Sequence, residues 1–412
     1  MKLTHLLLGA LLTLPLSAST QPPSGAERPV SIAEADPSAL VEAPTPTRNG
    51  WKVIAPGNRH LYGEAVSDML AATASGPVLS IDTSLSGNDD SKDRTARPAT
   101  MLVALKPEDG SVRWARIIEP ATKDFPGSEL PLTPQIAYEK GRRSGRSVGN
   151  SIVASPDGTR LAVPLLSHMR PADSTRISDQ RTKVVVLDAA TGNEVRTVEV
   201  AGMVLGHALT GDCLVVETAE NYYPAGTGIL NVFPLGDPTA EPVTFRTDLW
   251  LAGATANSLL MSPQFDREKT SLRPTGHSRT FTRISTSGEE LGTVTGVSDL
   301  HSGGWLERFK DPDAAQALIA QNLDEVSLAE QLEKLPRELV NADSGAVVDL
   351  TGASPRDVVT PSGWGIFLKP ALQPIEREAA LWLNTTAGDQ TPRKEFLNYF
   401  KEEGYAVYYA PI

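Results

Sequence analysis

VVVLDAATGNEVRTVEV, residues 184–200, is a run of four apolar residues, a polar corner ending in Gly192, and a second run in which valine alternates with polar side chains. Apolar runs bounded by such a corner read as two β-strands joined by a tight turn. Glycine suits the corner, because a turn between twisted strands needs a positive φ that a β-branched residue adopts only under strain. The alternation in EVRTVEV sets Val195, Thr197 or Val198, and Val200 against neighbouring layers, with one break in register. Residues 102–118, LVALKPEDGSVRWARII, have the same shape. With Gly110 set on Gly192, Leu105 falls on Leu187, Pro107 on Ala189 and Asp109 on Thr191, so the opening stretch is one copy of a repeat.

The shape recurs more loosely around Gly236 (ILNVFPLGDPTAEPVTF), Gly288 (FTRISTSGEELGTVTG), Gly345 (ELVNADSGAVVDLTG) and Gly388 (ALWLNTTAGDQT). From Gly192 onward the corners stand about 40–60 residues apart, the period of four-stranded propeller blades. Further strands fall between them in GPVLSID, NSIVASPDGTRLAVPLL, GMVLGHALTGDCLVVETA, LAGATANSLLMSP, GGWLERF and VVTPSGWGIFL. A single blade cannot bury both of its faces, so blades stack radially and the last must close on the first. Six corners are visible, and the late strand YAVYYAPI, residues 405–412, together with residues 51–75 supplies a seventh blade. The expectation is therefore an all-β propeller of four-stranded antiparallel blades, seven favoured, with six and eight left open.

Two regions break the rhythm. Residues 119–149 form a long connection rich in proline and glycine, and residues 311–340 are helical by pattern. Asp311 followed by Pro312 makes a cap and first-turn pair. Leu328, Leu332 and Leu335 then recur at helical spacing, with Asp324, Glu325, Glu330 and Glu333 on the other side. This insertion is expected over one rim of the disc, either shaping a binding surface or covering a blade.

The chain has 412 residues and a formal charge of −12, from 50 acidic against 38 basic residues, so its field repels nucleic acid and anionic lipid. The 33 glycines and 32 prolines favour many turns over long helices. MKLTHLLLGALLTLPLSAST opens with Lys2, a short apolar run from Leu6 to Leu16, and small residues at a cleavage site. Residues 1–19 thus read as a signal peptide too short to span a bilayer, and export places the chain outside the cell or in the periplasm or cell envelope. Residues 20–48 read as a flexible Pro-rich tether, and 49–412 as the propeller. Cys213 is the one cysteine, which excludes an intrachain disulfide and any thiolate metal cluster.

Candidate sites are few. Gly145 to Gly149 spells G-x-S-x-G around Ser147, but it follows a basic loop and precedes a strand, where a nucleophile elbow needs strand then helix. His60, His168, His207, His277 and His301 are too far apart in sequence for a local metal site, and only convergence at the axis could bring any together. Asn88 to Asp93 alternates oxygen ligands but lacks the glycine and closing glutamate of a calcium loop. Lys140, Arg142, Arg143 and Arg146 form the one basic cluster, a candidate interaction surface for an acidic partner or envelope polymer. Trp51, Trp114, Trp250, Trp305, Trp364 and Trp382 are spread at about one per blade, as aromatics that fill the space between blades are.

LVALKPEDGSVRW and VVVLDAATGNEVRTV resemble the repeat of the quinoprotein-like (PQQ-binding-like) β-propeller superfamily, whose blades carry a Leu-Asp-Ala-x-x-Gly corner followed by tryptophan. Leu105, Gly110 and Trp114 match it, as do Leu187, Asp188, Ala189 and Gly192, with Arg196 where the tryptophan would stand. Members include quinone-dependent alcohol and sugar dehydrogenases and non-enzymatic scaffolds of the bacterial envelope. The dehydrogenases carry adjacent cysteines and a calcium-binding acidic set, which a chain with Cys213 alone does not match. The resemblance therefore implies the scaffold branch: a non-catalytic module binding a protein or envelope component, with no catalytic, cofactor or metal residue assigned and no cofactor. The alternative is a quinone-dependent or sugar-handling enzyme with its site at the central channel.

Overall fold

The computed structural model describes residues 30–47, 50–54, 70–82, 99–119, 152–165, 181–219, 228–263, 278–321, 323–351, 353–360, 363–370, 379–384, 393–396 and 406–409. Three strands come first: β1 (Ser31–Glu34), β2 (Thr45–Thr47) and β3 (Gly50–Ile54). Blade 1 holds β4 (Leu70–Ala71), β5 (Val78–Asp82), β6 (Thr100–Leu105) and β7 (Val112–Glu119), paired antiparallel in sequence order. Blade 2 holds β8 (Val153–Ala154), β9 (Arg160–Pro164), β10 (Arg181–Asp188) and β11 (Glu194–Ala201), and blade 3 holds β12 (Met203–Leu209), β13 (Cys213–Ala219), β14 (Gly228–Pro234) and β15 (Val243–Thr247).

The next sheet has seven strands: β16 (Leu249–Ala254), β17 (Leu259–Pro263), β18 (Arg279–Ile284), β19 (Glu290–Leu300), β20 (Trp305–Phe309), β21 (Arg337–Asn341) and β22 (Val347–Asp349). It is two blades in one. The first half of β19 is the outer strand of blade 4, and its last residues, Val297 to Leu300, pair with β20 as the inner strand of blade 5. Blade 6 follows as β23 (Ala353–Thr360), β24 (Gly363–Pro370), β25 (Ala379–Asn384) and β26 (Arg393–Phe396).

The last strand meets two early ones in the remaining group. β27 (Ala406–Tyr409) pairs with β3, and β3 with β2, so a three-stranded seventh sheet joins residues 406–409 to residues 45–54. The sequence places this junction correctly, but β4 belongs to blade 1 and not to the seventh sheet.

The VVVL run shows why the blades read as they do. Val185 and Leu187 face blade 1 in one apolar core, while Val184 and Val186 face blade 3 in another. A strand buried on both faces loses its polar alternation. β6 does the same, with Leu102 and Ala104 toward blade 2 and Met101, Val103 and Leu105 toward the seventh sheet. The outer β11 keeps its alternation, with Arg196, Val198 and Val200 buried. Its break in register is a bulge, where Leu187 pairs with Glu194 and Val186 with Arg196.

Two expectations change at the edges. The tether expected over 20–48 differs over 30–47: β1 pairs with β7, β2 pairs with β3, and Val41 is buried beside Trp51. A short alternating segment, VSIA, suffices to extend an open sheet edge, and proline density hid it. The helical insertion is also shorter than 311–340. Its helices are α1 (Pro312–Ile319) and α2 (Glu325–Glu333), and residues 337–340 belong to β21.

Ala315 and Leu332, with Leu318, Leu328 and Leu335, close over Phe309 at the end of β20, so the insertion covers a blade. Asp311 caps α1 by accepting from the Ala314 amide at 2.9 Å. Asp311→Ala should cost about 1 kcal/mol, since that amide then lacks its partner. Hydrogen exchange confined to residues 312–319 is the check, and unchanged protection there would contradict the cap.

Candidate functional site

The third-to-fourth strand corners do more than reverse the chain. Gly110 and Gly192 both have positive φ, 72° and 68°. In each corner the glycine amide bonds back four residues, to Lys106 at 3.0 Å and to Asp188 at 2.8 Å. The Asp188 carboxylate also accepts from the Thr191 amide and hydroxyl at 2.8 and 2.7 Å. An aromatic from the preceding blade lies on each glycine. Trp51 covers Gly110 and donates its indole N–H to the Pro107 carbonyl at 3.0 Å. Trp114 covers Gly192 and donates to the Ala189 carbonyl at 3.1 Å. The two acceptors are the residues that fall together when the repeats are aligned.

Arg196 keeps the tie with different chemistry. Its guanidinium donates to the carbonyls of Pro234, Asp237 and Ala240 in the corner of blade 3 and lies 5.5 Å over the Phe233 ring. Phe245 then covers Gly288 of blade 4. The repeat motif is thus a chain of blade-to-blade fasteners, and Trp250 and Trp305 fill interior space elsewhere.

Strands alternate in direction, so the disc has two unlike faces. First-to-second and third-to-fourth connections lie on one face, and those described there run to at most eight residues, from 106–111, 155–159, 189–193, 255–258 and 342–346 to 235–242. Second-to-third and blade-to-blade connections leave from the other. The strand ends on that face bound 83–99, 120–152, 165–180, 220–227 and 264–278, together with the helical insertion. Lys140, Arg142, Arg143 and Arg146 fall between β7 and β8 in sequence, and they lie outside the described residues. Ser147, the Asn88 to Asp93 stretch, and His60, His168 and His277 also lie outside them.

Buried ionisable groups sit within blades and between them. On the face of blade 5 that turns toward blade 6, Glu307 accepts from Arg337 and stands 3.4 Å from His301 Nε2. Burial alone would raise the Glu307 pKa, but the His301 hydrogen bond and the Arg337 charge outweigh it and hold the carboxyl below its usual value. Between blades 4 and 5, Asp343 accepts from Arg283 and Ser258, each at 3.1 Å. Burial, with help from Asp212, pushes the Cys213 thiol up to about 11, so it stays protonated and unreactive near neutrality. Among the described residues no group of three or more His, Cys, Asp and Glu is placed to hold a metal ion. No described helix is long and apolar enough to cross a membrane.

His207 lies on β12, the inner strand of blade 3. The residue is half-buried, but its Nε2 is enclosed and meets no hydrogen-bonding partner among the described residues. Desolvation lowers its pKa to about 4. The neutral ring therefore favours the folded state fully above pH 6.5, and that contribution declines as pH falls toward 4. His207→Phe should flatten stability between these values, where wild type loses up to about 1.4 kcal/mol per pH unit. An NMR titration placing the His207 midpoint near 6.5 would contradict the burial.

No protein-family model matches the sequence, and no curated protein matches it. Among solved structures, the chain is similar to BamB from Moraxella catarrhalis at 11% identity, over 83% of this chain and 91% of that one, with a TM-score of 0.31. It is similar to the β-propeller domain of the Trilobed protease from Pyrococcus furiosus at 11% identity, over 58% and 68% of the two chains, with a TM-score of 0.32. A third likeness is to the WD40 domain of Toxoplasma gondii coronin, at 10% identity over 93% and 87%, with a TM-score of 0.29. All three are propeller proteins of different kinds, and the propeller architecture of this chain stands on its own sheet order and inter-blade cores.

Proposed function

We propose that this chain is an exported, non-catalytic propeller that binds a protein or cell-envelope component through the face bearing its long connections. The observation that carries the reading is the inequality of the two faces. Tight corners on one are consumed in fastening blade to blade, while the opposite strand ends bound the longest connections, 83–99, 120–152, 165–180 and 264–278, and carry the helical insertion. Long connections on a rigid scaffold are where recognition residues collect. The basic cluster at Lys140, Arg142, Arg143 and Arg146 belongs to one of them and would meet acidic groups of a partner.

The test is crosslinking and recovery of partners from the native envelope, read by mass spectrometry. One variant replaces residues 312–335 with a short Gly/Ser linker, sparing β21. Another reverses the charge of Lys140, Arg142, Arg143 and Arg146. One saturable partner, weakened by either change, is the expected result. Recovery of nothing reproducible, or of a partner indifferent to both, would overturn the reading.

A further inference from the structure

Blade 1 carries a fifth strand on its outer edge. β1 pairs antiparallel with β7, from Ser31 opposite Glu119 to Glu34 opposite Arg116, and the Ala35 amide extends the ladder to the Ala115 carbonyl at 3.3 Å. Little side-chain burial supports this pairing. Ser31, Ala33 and Glu34 are exposed, Val30 and Ile32 pack against the core between blades 1 and 2, and Ala35 packs against the core beside Trp51. Downstream the chain is held differently. Asp36 accepts from the Ser38 amide, the Leu40 and Val41 amides bond to the Pro37 carbonyl at 2.8 Å, and Leu40 and Val41 enter the core beside Trp51. The arm is thus a firm anchor at 37–41 preceded by a strip, 30–35, held mainly by its main chain.

The edge beneath that strip has a charge set independently of it. Arg116 donates to the carbonyls of Gly192 and Thr191 in blade 2, at 3.3 and 3.2 Å, which fixes its guanidinium on the rim. Glu34 stands 3.8 Å away with its side chain 90% exposed. A strand edge beside an apolar core that takes Val30 and Ile32, with a fixed cation, can recognise an extended segment by main-chain pairing, apolar contact and a carboxylate.

We propose that the outer edge of blade 1 is a docking site for an extended acidic segment of a protein partner, and that residues 30–35 occupy it in the partner's absence. The incoming strand adds to β7, sets an apolar side chain where Ile32 packs, and brings a carboxylate to Arg116. The proposal rests on reading the chain as an interaction propeller, and it names one surface and the chemistry that fits it.

The test uses a fluorescent peptide of residues 28–36 as the acidic strand and three forms of the full chain. Wild type has its own strip competing at high effective concentration. Val30→Ser with Ile32→Ser weakens the strip. Ala33→Cys with Ile117→Cys, a pair opposed in register, locks it when oxidised and frees it when reduced, with buried Cys213 as the only other thiol.

Saturable binding is expected, tightest for the weakened strip, at least roughly tenfold weaker for wild type, and absent for the oxidised lock until reduction. A peptide carrying Glu34→Lys should bind several-fold less tightly. Equal binding by oxidised and reduced lock, or none by the weakened chain, would overturn the proposal. Comparison within one locked protein stays decisive even if the serine variant misfolds. A native partner recovered equally by oxidised and reduced chains would leave the interaction propeller standing and remove this edge from it.

Discussion

Gly192→Val should lower the free energy of unfolding by about 4 kcal/mol, an effect comparable to that of Trp114→Ala. Two costs combine. The backbone at Gly192 has φ of 68°, a conformation that a β-branched residue adopts at roughly 1–2 kcal/mol. A Cβ there would also come within 2.7 Å of the Trp114 ring, which is boxed between blades and holds its hydrogen bond to Ala189. Gly345 isolates the first cost, because it has φ of 69° but a Cβ would meet nothing within 4 Å. Gly345→Val should therefore lose only the backbone part. Urea unfolding followed by tryptophan fluorescence checks both, and equal losses at the two glycines would show that the indole is not a fastener. Combining Gly192→Val with Trp114→Ala should cost less than the two single losses together, since both remove one contact.

Glu307→Ala should cost about 3–5 kcal/mol, because it leaves Arg337 and His301 without the buried carboxylate that both address. The same carboxylate makes the fold acid-sensitive with a definite sign. Its folded pKa lies below 4.5, so its contribution is full above the unfolded value and is lost as pH falls through the folded one. Glu307→Gln should remove that acid limb while leaving the His207 slope between pH 6.5 and 4. Stability curves against pH for the two variants separate the groups, and an unchanged acid limb in Glu307→Gln would contradict the assignment.

Much of the ring is legible in the residues because a propeller repeats its local physics. The corner glycines Gly110, Gly192, Gly288 and Gly345 mark a positive φ, whereas Gly236 does not, and doubly buried strands such as VVVL mark third strands. Arg196, which breaks the sequence motif, keeps its function because three carbonyls can replace one aromatic contact, and that substitution is visible only in three dimensions. β1 and β2 were hidden for a related reason. A strand added to an existing edge takes its order from its partner, so VSIA and TPT needed no strong propensity of their own. The candidate site was less legible. A recognition face assembled from connections in several blades has no contiguous motif, and Lys140 to Arg146 stands out only by charge.

The shared strand β19 carries a mechanical consequence. Blades 1, 2 and 3 are separate ladders that a pulling force could strip one after another, at the boundaries between them. Blades 4 and 5 are riveted by one continuous eleven-residue strand whose hydrogen bonds cross the boundary. Under tension, residues 249–349 should yield as a single long step, making this double-width sector the part of the ring most resistant to being unzipped.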